Sequence, residues 1–145
     1  MLRVKIKKLH EDAVIPQYQS KGAAGFDFHA LEDIEIAPRQ TKLVKTGLSF
    51  EIPEGYELQV RPRSGMSLKT KMRVANTPGT VDSDYRGEIC IIMENVGLLG
   101  SLPYEIKKGD RVAQGVICPV YQAVFIEDDL SETERGEGAF GSSGK

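Results

Sequence analysis

Residues 47–63 read GLSFEIPEGYELQVRPR. Leu48, Phe50 and Ile52 alternate with Ser49 and Glu51, Pro53-Glu54-Gly55 interrupts, and Leu58 and Val60 resume the alternation. Successive side chains of an extended strand point to opposite faces, so a period of two broken by a turn cluster predicts two strands joined by a short connection. The same period recurs at Leu2, Val4 and Ile6 and at Ile34 and Ile36, with further turns at Ala37-Pro38-Arg39 and Lys107-Lys108-Gly109-Asp110. No window carries the apolar stripe of a long amphipathic helix. The pattern predicts an all-β barrel or sandwich with one short helix around Ser67 to Met72, its start capped by Ser64 or Ser67.

A chain of 145 residues, 40% of them hydrophobic, has apolar surface for one core and no room for a second domain. Nineteen basic against 21 acidic side chains, without a basic cluster, argue against a grip on a nucleic-acid backbone. The opening MLRVKIKKLHED has no unbroken apolar run, so neither a signal peptide nor a membrane span is expected, and the protein is expected to be cytoplasmic. Cys90 and Cys118 lie far apart in apolar runs and read as buried reduced thiols.

Five stretches depart from plain strand-and-turn sequence. In AAGFDFHA, 23 to 30, Asp27 stands between two phenylalanines, and a carboxylate among aromatics requires a partner or a task. In PRSGMSLK, 62 to 69, Arg63, Ser64 and the Gly65 amide lead into the helical candidate, a combination suited to phosphate oxygens. NTPGTVDSDYRGEI, 76 to 89, reads as a hairpin with an unusually polar and aromatic bend. In KKGDRVAQGVI, 107 to 117, Gln114 interrupts an apolar run. The terminal RGEGAFGSSGK contains a GxGxxG pattern, but no helix can follow it, and the GxxxxGK pattern fails because Ala139 stands where its first glycine should be. What that tail offers is a cation, Arg135, an aromatic ring, Phe140, and the hydroxyls Ser142 and Ser143.

In series, AGFDFHA, PRSGMSLK, GTVDSDYRGE, GDRVAQ and RGEGAFGSSG closely resemble the five ordered motifs of the trimeric dUTP pyrophosphatase family, in the family's order and spacing. The resemblance implies a distorted jelly-roll-like β-barrel over residues 1–134 with one short helix, and a flexible C-terminal arm, 135–145, that closes over bound nucleotide. It implies hydrolysis of dUTP to dUMP and pyrophosphate by a homotrimer with shared active sites. Asp82 would be the general base. Arg63, Ser64, Gly65 and Gln114 would bind the triphosphate, and Arg135 would reach its γ end. Phe140 would stack on uracil, with Gly141 and Ser142 closing beside it. Asn76, Gly79, Thr80, Val81 and the backbone as far as Cys90 would read the base, and Tyr85 would pack beneath the deoxyribose. Mg²⁺ would be held mainly by phosphates and water, with Asp27 touching it only through water. The chain departs from the commonest family pattern at Phe26, Phe28 and Thr77-Pro78. The related dCTP deaminase group shares the fold but needs a catalytic glutamate and generally lacks this arm. A β-barrel binding single-stranded nucleic acid would need a basic, aromatic-rich groove.

Overall fold

The computed structural model describes residues 2–139. The described residues form strands and one short helix, as the periodicity predicts. In chain order the strands are β1 (Lys5–Lys8), β2 (Phe26–His29), β3 (Ile34–Ile36), β4 (Thr41–Lys45), β5 (Leu48–Glu51) and β6 (Tyr56–Arg61). After helix α1 (Ser64–Lys69) come β7 (Met72–Val74), β8 (Gly79–Val81), β9 (Cys90–Asn95), β10 (Tyr104–Ile106) and β11 (Arg111–Pro119). They form a jelly-roll-like set of small antiparallel sheets, β1-β5, β3-β10, β4-β9-β7 and β2-β11-β6-β8, with no closed barrel among the described residues.

The helix starts earlier than the sequence predicts. Arg63 occupies the N-cap position in extended conformation, and Ser64 is the first helical residue, not a side-chain cap. Thr70 ends the helix: its backbone N–H and hydroxyl both donate to the Met66 carbonyl, while the same hydroxyl accepts from Met72 N–H at 3.0 Å. Met72 is thereby drawn into β7.

The core lies between the sheets. Leu48 and Phe50 of β5, Ile52 beyond it, and Leu58 and Val60 of β6 are all buried, as the alternation predicts, but Ser49, which a period of two turns outward, is buried as well. Phe26, Phe28 and Phe50 make a three-ring cluster with centroids 5.5 to 6.2 Å apart, arrangements worth about 0.5–1.5 kcal/mol per pair beyond burial. Two sheets are tied by buried Asn95, which donates to the Ile36 carbonyl at 2.9 Å and accepts from Gly97 N–H. Both cysteines are free, but each is half-buried, not enclosed. Burial pushes the Cys90 thiol above its ordinary range, and nearby Glu88 adds to the effect.

The last described strand ends at Pro119. Beyond it the chain runs exposed, with Phe125 95% and Leu130 94% accessible. Phe140, Gly141, Ser142 and Ser143 lie outside the described residues.

Gly115 of β11 sits beneath the aromatic cluster, where a Cβ would stand 2.5 Å from the Phe26 ring and 2.8 Å from that of Phe28. Gly115→Ala should lower stability by about 1–3 kcal/mol through overpacking, read by urea unfolding at fixed protein concentration. Gly22→Ala, whose methyl meets nothing within 4 Å, should leave the midpoint in place.

Candidate active site

The elements carrying three of the five stretches meet in one sheet. β11 pairs with β2 on one side and β6 on the other, so Gln114 lies between Asp27 and Arg61. Against β2 the register shifts between Arg111 and Ala113, a bulge at Val112. A regular strand would alternate through this segment and turn Arg111 toward the core whenever Gln114 faced away from it. The bulge lets Val112 and Ala113 both be buried while Arg111, opposite His29, and Gln114, opposite Asp27, share the other face.

That face carries an ion cluster. Arg63 Nε donates to Asp27 Oδ1 at 2.8 Å, and Arg111 donates to Asp27 Oδ2 at 3.3 Å. Arg63 also donates through NH1 to the Arg111 carbonyl at 3.1 Å. The side chain of Asp27 is only 15% exposed, so these partners answer the question of a carboxylate between phenylalanines. His29 flanks the cluster with a buried Nδ1 that has no partner among the described residues. Burial holds its imidazole below the ordinary pKa, outweighing the opposing pull of Asp27. Gln114 is half-buried and donates to the Pro62 carbonyl at 2.8 Å, bracing the turn before Arg63. Gly25 makes room for it: a Cβ there would lie 2.6 Å from Gln114 Oε1. Ser64 and Gly65 stand exposed on the first turn of α1.

Asp82 lies elsewhere. The 76–89 stretch is not a hairpin in itself, because β8 pairs with β6 and not with β9. Its flanks, β7 and β9, pair with each other, and the segment between them is a long excursion that lends β8 to the neighbouring sheet. Burial decides this: Gly79 packs against Val60, which an ordinary bend would leave outside the core. The excursion is held at its far end, where Thr46 and Ser49 donate to the carbonyls of Ile89 and Arg86 at 2.6 Å each and Gly47 N–H donates to Glu88 at 2.8 Å. Gly47 has φ +68°, a conformation that favours glycine. Asp82 is exposed in a groove with Glu54, Glu57, Thr80, Asp84 and Arg86. Tyr85 N–H donates to the Asp82 carbonyl at 3.2 Å and the Tyr85 hydroxyl to the Glu88 carbonyl at 3.1 Å, leaving its ring exposed. Asn76 and Thr80 are exposed, Val81 and Cys90 half-buried. β8 is the edge of its sheet, so the backbone groups on its outer side have no strand partner.

Within one chain the two groups are far apart. Val81 is opposite Leu58, which sets Asp82 beside Glu57, whereas Arg63 follows the other end of β6. From Glu57 to Arg63, extended backbone at roughly 3.3 Å per residue covers about 20 Å. The Arg63 guanidinium moreover reaches to β2, at the edge opposite β8. Arg135, on the exposed terminal segment, donates from Nε to the Gly138 carbonyl at 2.8 Å.

Sequence reading missed Arg111 and the clasp of Thr46, Ser49 and Glu88. The adjacent apolar pair Val112-Ala113, out of step with a period of two, is the signal that could have exposed the bulge; the clasp has no local signature. Among the described residues no group of three or more His, Cys, Asp or Glu side chains is placed to hold a metal ion. Both Asp27 oxygens face guanidinium groups. No helix among the described residues is long and apolar enough to cross a membrane.

Comparison with known proteins identifies the family. The dUTPase family model matches residues 11–144. The chain is 56% identical to the deoxyuridine 5'-triphosphate nucleotidohydrolase of Nautilia profundicola over 99% of its length and 100% of that protein. It is 54% identical to the Wolinella succinogenes protein of the same name, over 99% and 95%. Among solved structures, the Staphylococcus bacteriophage 80alpha dUTPase with dUPNHPP aligns over the whole of both chains with a TM-score of 0.89 at 29% identity. A phage phi11 dUTPase described with a structural Mg(II) ion aligns over 91% of this chain and 100% of its own, with a TM-score of 0.82 at 26% identity. A family match over nearly the full length, joined to relatives above half identity, shows that this chain belongs to the dUTPase family.

Proposed function

We propose that the protein hydrolyses dUTP to dUMP and pyrophosphate in active sites shared among the three subunits of a homotrimer. The observation that carries this reading is the division of the family's residues into two groups on one chain. Arg63, Ser64, Gly65 and Gln114 stand at one end of the sheet, with Asp82, Tyr85 and the β8 edge at the other. A base about 20 Å from the cation it must act with cannot serve the same α-phosphorus. In a closed ring each group can complete a site with its counterpart on a neighbour. The exposed apolar run through Val124, Phe125, Ile126 and Leu130 supports assembly, since an isolated chain leaves it uncovered.

In such a site Arg63, the Ser64 hydroxyl, the Gly65 amide and Gln114 bind the triphosphate of one nucleotide. Asp82 of a second chain orients a water and takes its proton as the oxygen attacks the α-phosphorus in line. The bond to the pyrophosphate leaving group then breaks. Mg²⁺, held mainly by the phosphates and water, would offset the charge of the triphosphate that Arg63, Ser64, Gly65 and Gln114 bind. Arg135 of a third chain adds charge at the γ end, and Phe140, Gly141 and Ser142 cover the base. The outer edge of β8, with Asn76 beside it, offers main-chain donors and acceptors for uracil, which cytosine would leave mismatched. Tyr85 lies under the deoxyribose, where a 2′-hydroxyl would collide with its ring.

The direct test is pyrophosphate release from dUTP compared with dTTP, dCTP and UTP, with dUTP strongly preferred. Asp82→Asn should lower kcat about a hundredfold or more while keeping nucleotide affinity, the loss typical of a general base. A folded Asp82→Asn protein with ordinary turnover would remove the base assignment. Tyr85→Ala should raise the use of UTP relative to dUTP; an unchanged ratio excludes Tyr85 from sugar selection.

The division among chains has its own measurement. One inactive variant carries Asp82→Ala with an intact arm, and another keeps Asp82 but ends before Arg135. Unfolded together in equal amounts and reassembled, they should recover about a quarter of wild-type activity, because a site works only when its base and its arm come from chains of the right types. If base and arm came from the same chain, mixed trimers would recover nothing.

A further inference from the structure

We infer that Arg111 and Asp27 are positioning residues for Arg63, holding its guanidinium toward the triphosphate. The inference rests on the proposed triphosphate reading and assigns the electrostatics of that same site. Arg63 is fixed at two points: Nε by Asp27 at 2.8 Å and NH1 by the Arg111 carbonyl at 3.1 Å. An arginine carries five N–H donors in a rigid plane, so these bonds set the orientation of the plane and leave the other donors for phosphate oxygens.

A carboxylate in that position has a cost for anion binding, because a single Asp27–Arg63 pair would cancel the charge that phosphate must meet. Arg111 resolves it. Its guanidinium takes the second oxygen of Asp27 at 3.3 Å, and the cluster of two arginines and one aspartate keeps a net positive charge. Arg111 is 51% exposed while Asp27 is 15% exposed, so the excess charge lies on the solvent side and the carboxylate beneath it. The bulge at Val112 is what brings Arg111 to this face.

The test uses the full-length assembled protein and the variants Arg111→Gln, Arg111→Lys and Asp27→Asn, each first shown to keep wild-type assembly and thermal midpoint. Inorganic tripolyphosphate binding is measured by calorimetry in EDTA, and dUTP turnover with Mg²⁺ present. Arg111→Gln should weaken tripolyphosphate about tenfold or more and raise KM for dUTP by a similar factor, the scale of one charge-assisted hydrogen bond, with a smaller change in kcat. Arg111→Lys should recover part of that loss by restoring the charge. Asp27→Asn keeps an acceptor for Arg63 but turns a donor toward Arg111. It should lower kcat/KM about tenfold or more.

Wild-type tripolyphosphate affinity in Arg111→Gln would overturn the positioning role. Wild-type kcat/KM in Asp27→Asn would remove Asp27 from that role. Should the wild-type protein bind tripolyphosphate yet leave dUTP intact, the hydrolase reading fails, while the Arg111→Gln binding comparison still decides the inference.

Discussion

In β11 two consecutive apolar residues, Val112 and Ala113, are both buried against the core, and the strand accommodates them by bulging against β2. The geometry of the arginine cluster depends on that local irregularity. It fixes which side chains stand beside Asp27, because strand side chains have only two directions and one extra residue exchanges them. Arg111 and Gln114 then flank the carboxylate on the same face, one engaging it and the other bracing the Pro62 turn that delivers Arg63. The aromatic cluster below makes the register costly to change, since Gly115 alone leaves space for Phe26 and Phe28.

The opposite end of the sheet is organised by the opposite principle. The Arg63 side draws charges together in partial burial, whereas the Asp82 side leaves a carboxylate and a strand edge exposed. β8 is short, lies at an edge, and is reached by a long excursion whose other end is fastened by the Thr46, Ser49 and Glu88 bonds. An edge strand's free backbone groups are a hazard in an isolated molecule and a recognition surface in an assembled one. The exposed apolar segment after Pro119 has the same character.

Much of this was legible in the chain. The alternation at Leu48, Phe50, Ile52, Leu58 and Val60 corresponds to buried positions, and the turn at Pro53-Glu54-Gly55 stands between the strands it separates. The tension of Asp27 among phenylalanines was readable because burying an unpaired carboxylate is costly. The helix start was misplaced because serine hydroxyls suggest caps, while here extended Arg63 takes the cap position with no side-chain bond. The 76–89 stretch looked like a hairpin because its turn chemistry is local, whereas its strand pairs with residues far back in sequence.

The sequence by itself determined the strand class, the single short helix, the presence of one core and the set of polar residues that strand patterning leaves unexplained. Those follow from periodicity, turn chemistry and the cost of burying charge, all of which act over a few residues. Only the tertiary structure decided that Arg111 joins Asp27 and Arg63, and that Asp82 lies at the other end of β6 from Arg63. Strand pairing and bulges are settled by packing between segments distant in the chain, so the direction of a side chain such as Arg111 has no value until its neighbours are in place.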